Sequence, residues 1–142
     1  MAINFDSALG IHQQALLVRS RRSELLSANL ANADTPNYKA RDIDFRQVLN
    51  RISTEQDQRS GSNATILKTQ AGHQMASADR AALIRGDDVQ FRQALQPSED
   101  GNTVESHIEN AAFAENAVRY QASLHFLGGK FSSLKMAITG GR

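Results

Sequence analysis

The side chains best suited to metal or acid–base chemistry are four histidines, His12, His73, His107 and His125, and their spacing assembles nothing. No His-x-x-Glu-His or comparable ligand run occurs, so no metal site is expected. The 142-residue chain has no cysteine, which removes disulfides, thiolate ligands and a thiol nucleophile. Serines and aspartates are plentiful, but there is neither a nucleophile elbow nor a glycine-rich phosphate loop. The expectation is a protein that is not an enzyme and takes no cofactor. The one basic cluster, Arg19-Ser20-Arg21-Arg22, lacks the interleaved aromatics of a nucleic-acid surface and reads as a solvated or ion-paired helix face. A formal net charge of +1 offers no field to gather nucleic acid. No run of about 18 apolar residues exists, so no direct membrane insertion is expected. The opening residues, Met1 to Asp6, lack the basic start and apolar stretch of a cleaved secretory signal.

With chemistry set aside, the spacing of apolar residues carries the information. The chain divides into 1–35, an N-terminal helix; 36–100, a turn, a short helix and a flexible middle segment; and 101–142, a C-terminal coiled-coil helix. Good helix formers run from Asp6 to Asn32, with Asp6 and Ser7 as candidate caps. Leu9, Ile11, Leu16, Leu17, Val18, Leu25, Leu26 and Leu30 cover more than one face, which predicts burial on several sides. Pro36 pushes Thr35 out of the α region and ends the helix before it. Pro36-Asn37 suits the central positions of a type II turn, where Asn adopts φ > 0. Asp42 to Ile52 reads as a short amphipathic helix. Ser53 to Asn63, which holds Glu, Gln, Asp, Ser and Gly and no apolar residue, reads as a flexible linker. Ile66-Leu67, Leu83-Ile84 and Val89 with Phe91 follow without a clear period.

From Thr103 to Ile138 the pattern is sharper. Phe113, Ala117, Tyr120, Leu124, Leu127, Phe131, Leu134 and Ile138 alternate steps of four and three, an unbroken heptad seam. A second, weaker seam runs through Val104, Ile108, Ala111, Val118 and Ala122, with Glu115 in a polar slot. Asn102 or Thr103 is the expected cap, acids cluster at this end, and Lys130 and Lys135 sit toward the other, as the helix dipole favours. Gly128-Gly129 is its weak point, at about 1 kcal/mol per residue relative to Ala. Such a helix is about 54 Å long, whereas a compact globule of this length is under about 40 Å across. One partner helix covers one seam. The other stays wet and drives association, and a head-to-tail contact propagates into a ring or filament.

Ser27-Ala28-Asn29-Leu30-Ala31-Asn32-Ala33-Asp34-Thr35-Pro36-Asn37-Tyr38-Lys39-Ala40 resembles the N-terminal signature of bacterial flagellar rod and hook proteins. Arg41 to Phe45, the Asp100 to Val104 turn and Glu115 to Gln121 narrow the resemblance to proximal-rod proteins of the basal body. Asn37 stands where these axial proteins usually have Gly, and Asn is the best substitute at φ > 0. The resemblance implies a mainly α fold, two long terminal helices pairing as a coiled coil around a flexible or irregular middle. It implies a structural subunit of the hollow drive shaft that transmits torque and carries exported subunits. It places the chain in the rod within the periplasmic space, exported by the flagellar type III apparatus without a cleaved signal. Implied partners are copies of itself, other rod proteins, the basal rod adaptor protein, the membrane-supramembrane ring and, during secretion, the export apparatus. Asn29, Asn32, Asp34, Thr35, Pro36, Asn37 and Tyr38 form the motif and helix-stop turn; local capping and inter-subunit contact are compatible roles for Asn29 and Asn32. A soluble helical adaptor or export chaperone is the alternative reading, and a nucleic-acid-binding helical module a third.

Overall fold

A computed structural model of the chain describes residues 9–61, 84–96 and 98–140. The fold is mainly helical. Its elements are α1 (His12–Ala31), β1 (Arg41–Ile43), α2 (Phe45–Gly61), a 3-10 turn (Gly86–Asp88), β2 (Val89–Phe91) and α3 (Ser106–Ile138). The two terminal helices pair as expected. They run antiparallel, since Asn29 meets Glu109, Asn116 meets the Arg19 carbonyl and His12 meets Phe126.

Several boundaries differ from the sequence reading. Helix α1 starts after Gly10, whose φ of +57° is open to Gly and breaks the helical run; the candidate caps Asp6 and Ser7 lie outside the described residues. The helix stops at Ala31 as Pro36 requires. A turn closes from the Tyr38 N–H to the Thr35 carbonyl at 3.3 Å, with Asn37 at φ 62°. The helix read as Asp42–Ile52 begins instead at Phe45, because Asp44 is its cap: the Asp44 carboxylate accepts from the Arg46 and Gln47 N–H groups at 2.9 and 3.1 Å. Asp42 belongs to β1. The same helix continues to Gly61, so the segment expected to be a linker from Ser53 is helical over most of its length. Glu55, Gln56, Gln58 and Arg59 are good helix formers, and Arg51 bonds Glu55 one turn on. Ile66, Leu67 and Leu83 lie outside the described residues.

Val89 and Phe91 form a strand. Antiparallel register sets Arg41 opposite Phe91, Asp42 opposite Gln90 and Ile43 opposite Val89. The 3-10 turn before β2 is latched to α2 by Arg51–Asp88 and Arg85–Glu55 ion pairs at 2.6 and 2.9 Å. Val18 and Leu25 of α1 bury against Ile43, Val48 and Ile52, with Phe45, Ile84 and Val89 around them. Helix α1 is therefore covered on two sides, by this small cluster and by α3. Helix α3 starts three residues later than expected, at Ser106 with Glu105 as its flanking residue. It continues through Gly128 and Gly129 without a break.

Candidate assembly interface

The strand pair, α1 and α3 meet at a buried polar junction. Asn29 is fully buried. Its Nδ2 donates to the Arg41 carbonyl at 2.8 Å and to Glu109 Oε2 at 3.1 Å, while its Oδ1 accepts from the Arg41 N–H at 3.0 Å and the Tyr38 hydroxyl at 3.4 Å. One amide thus satisfies an extended segment that would otherwise have buried unpaired backbone. Glu109, also fully buried, takes Arg92 Nη1 on Oε1 at 2.5 Å. Arg92 reaches Asp42 through Nη2 at 2.6 Å, and Arg22 grips the same carboxylate with two bonds at 2.8 and 2.9 Å. The chain Arg22–Asp42–Arg92–Glu109–Asn29 links α1, β1 and α3 through the residue that follows β2. Of the basic cluster, Arg22 is spent in this way and Arg21 pairs with Glu24 at 2.5 Å, as an ion-paired helix face would have it; Arg19 differs, being buried over the Phe45 ring at 3.8 Å.

Burial alone would raise the Asp42 pKa, but the Arg22 hydrogen bonds and charge, the Ile43 N–H and Arg92 outweigh it and hold the carboxyl below its ordinary value. A group depressed on folding stabilises above its unfolded pKa and loses that contribution as pH falls through the folded one. Stability in urea is therefore expected to fall below about pH 4, the ordinary Asp range. The Asp42→Asn variant should lack that share of the pH dependence, which urea midpoints measured from pH 7 to 2.5 will show.

The helix-stop turn is tied to the start of α3. Asn32 Nδ2 closes onto the Ala28 carbonyl at 2.8 Å, and the Thr35 hydroxyl donates to Asn32 Oδ1 at 3.2 Å. Asn102, expected to cap α3, does something else: its Nδ2 lies 3.1, 2.7 and 3.1 Å from the carbonyls of Asn32, Ala33 and Thr35, and its Oδ1 accepts from the Val104 N–H. It satisfies the open carbonyl end of α1. The Asn37 N–H donates to the Asp100 carbonyl at 2.9 Å and the Thr103 N–H to the Tyr38 carbonyl at 3.0 Å. Asp34, Pro36 and Asn37 remain exposed. Gly101 sits at φ +70°, where an added Cβ would stand 2.8 Å from Asn37 Oδ1. Gly101→Ala is expected to cost about 1–2 kcal/mol, mostly as left-handed backbone strain, read as a lowered urea midpoint at unchanged slope.

Helix α3 divides its faces unequally. The side toward α1 carries buried Glu109, Asn116 and Ser123 with half-buried Ala112, Tyr120, Leu127 and Leu134. Of the expected seam, then, Tyr120, Leu127 and Leu134 lie on the α1 side. Phe113, Leu124, Phe131 and Ile138 are exposed at 36%, 46%, 48% and 85%, and Ala117 is exposed. In the second seam Val104 and Ile108 are half-buried, whereas Ala111, Val118 and Ala122 are exposed, roughly opposite the α1 side. Phe126 and Met136 add further exposed apolar surface. Past Gly129, α3 extends beyond the described residues of α1. Glu115, read as a polar slot, pairs with Arg119 on the surface.

The polar set was missed by reading apolar residues alone, although Glu109, Asn116 and Ser123 are spaced by seven and signal a polar seam. Nothing local marks Arg92 or Asp42 as partners. Among the described residues no cluster of His, Asp or Glu is placed to hold a metal ion, and no helix is long and apolar enough to cross a membrane.

Comparison with known proteins gives a consistent family. A sequence family described as flagella basal body rod protein matches residues 9–39, which span α1 and the helix-stop turn. The chain is 46% identical over 141 residues to flagellar basal body rod protein FlgB of Aeromonas hydrophila, covering 99% of this chain and 98% of the relative. It is 40% identical to the protein of the same name from Yersinia enterocolitica, over 99% of this chain and 100% of the relative. For the Salmonella typhimurium protein the identity is 39%, over 99% of both chains.

Proposed function

The chain belongs to the FlgB family of flagellar basal body rod proteins, and from that premise we propose that it is a structural subunit of the proximal rod. It assembles with copies of itself and with other rod proteins into the hollow drive shaft that transmits torque and carries exported subunits. One observation supports this above the rest. Helix α3 has its inner side occupied by α1 and still exposes Phe113, Val118, Leu124 and Phe131, more apolar surface than the pair covers by itself. Burying a Leu or Phe side chain contributes about 1.5–3 kcal/mol, so this stripe favours association.

On this reading the motif Asn29 to Tyr38 and the tied Asn102 turn set the angle at which the helix pair enters the shaft. The neighbours are other rod proteins, the basal rod adaptor protein and the membrane-supramembrane ring, in the periplasmic space. The chain reaches them through the export apparatus. Purified basal bodies should contain the chain, and images of them should trace α1 and α3 along the shaft axis. An adaptor or export chaperone would instead stay with the export machinery and be absent from purified rods.

A further inference from the structure

An open cleft of about 520 Å³ lies between α1, the strand pair and the start of α2. Five arginines line it, Arg19, Arg22, Arg46, Arg92 and Arg119, against the two carboxylates of Asp42 and Asp44. Most of that charge is already spent. Arg22 and Arg92 bind Asp42, Arg92 also binds Glu109, and Arg119 binds Glu115. Asp44 is engaged by the α2 backbone as its cap. Arg19 and Arg46 are left with no ion pair among the described residues.

Arg19 is the unusual one. It is 8% exposed, and its Nε and Nη1 are buried without a hydrogen-bond partner. Burial, then Arg119 and Arg22, lower its pKa. A buried guanidinium among other arginines is stabilised by a carboxylate far more than by water at the cleft mouth.

The same chain carries a matching pair of acids elsewhere. Asp34 and Glu99 are exposed and unpaired among the described residues, and Asn102 ties their two loops together. They stand at the end of α1 beyond Asn32, about 20 Å along the helix from Arg19 at 1.5 Å per residue. At that separation neither can reach Arg19 of its own molecule.

We propose that the Arg19/Arg46 cleft is a docking site for the acidic Asp34/Glu99 pole of a second copy of this chain. The contact is head-to-tail, because cleft and pole are different surfaces at different heights, and such a contact propagates into a ring or filament instead of pairing two copies by a two-fold axis. The two carboxylates meet the exposed Arg46 and the Nη2 edge of Arg19, whose Nε and Nη1 are buried beside Phe45, which fixes the axial offset between neighbouring copies, while the apolar stripe of α3 supplies the lateral adhesion. This inference rests on the self-assembling rod reading and adds to it a particular contact.

The chain's lack of cysteine makes the test clean. Cells produce two tagged forms, one with Gln90→Cys in the cleft wall and one with Thr35→Cys beside the pole, and a short bis-maleimide is added to isolated basal bodies. A third form, Leu124→Cys, reports contact through the α3 stripe. The expected result is a mixed dimer of the first two forms. It should be lost when the pole copy also carries Asp34→Lys and Glu99→Lys, and regained when the cleft copy carries Arg46→Glu. Cross-linking through Leu124→Cys with none between cleft and pole would overturn the docking and leave the rod reading standing. No cross-link by any route would overturn both.

Discussion

Arg92→Ala is expected to destabilise the fold by about 3–5 kcal/mol, the usual consequence of leaving one member of a buried ion pair alone. The asymmetry of the pair decides this. Glu109 is fully buried and has only two partners, Arg92 at 2.5 Å and the Asn29 amide at 3.1 Å. Arg92 is about a quarter exposed and keeps Asp42 as a second acceptor. Removing the arginine strands a buried carboxylate; Glu109→Gln keeps one acceptor oxygen for two donors and so strands a single N–H, of Arg92 or of Asn29. Glu109→Gln should therefore cost only about 1–2 kcal/mol, and the double variant Arg92→Ala/Glu109→Gln should be more stable than Arg92→Ala alone. Urea unfolding of the three chains at pH 7 measures all of this. With total stabilities of about 5–15 kcal/mol typical of single domains, Arg92→Ala approaches loss of the folded state. Equal stability of Arg92→Ala and the wild type would show that the junction holds nothing.

The second large effect concerns assembly and leaves folding alone. Leu124→Asp and Phe131→Asp place a carboxylate in the exposed stripe of α3, where the isolated chain has room for it. Their stability should stay within about 0.5 kcal/mol of wild type. In a rod the same charge is buried without a partner at several kcal/mol, and the penalty recurs at every subunit. Both variants should be secreted but absent from basal bodies, and the cells non-motile. Leu127→Asp is the control: Leu127 is on the α1 side and half-buried, so it should lower stability as well as assembly. Truncation after Gly128 removes Phe131, Leu134 and Ile138 together and should also abolish assembly with export intact. Full motility of Leu124→Asp and Phe131→Asp would remove the stripe from the interface.

What the sequence makes legible is what is local. Pro36 and Asn37 specify their turn through covalent geometry, and Asn37 takes the positive φ expected of it. The step pattern of three and four specifies α3 over its full length. Which stripe of α3 faces its partner is another matter. Phe113, Leu124 and Phe131 are large and apolar, yet the buried positions of the inner side, beside Tyr120 and Leu127, go to Glu109, Asn116 and Ser123, because their partners arrive from residues 19, 29 and 92 and from their own helix backbone. Periodicity finds a surface, not its occupant. The strands are three residues each and some 46 residues apart, too short for alternation to register. Helix α2 beyond Ile52 is stabilised by propensity and ion pairs without an apolar face, so it reads as a linker by hydropathy.

A polar inner side also changes how the helix pair responds to force. Two greasy cylinders can slide by a turn or a heptad and find nearly equivalent grooves, so shear between them meets little resistance. Here any slip separates Glu109 from Arg92 and Asn29 and pulls Asn116 off the Arg19 carbonyl, with each loss in a dry environment. The two helices are keyed together like a shaft and its collar. A load applied to one is passed to the other as rigid motion.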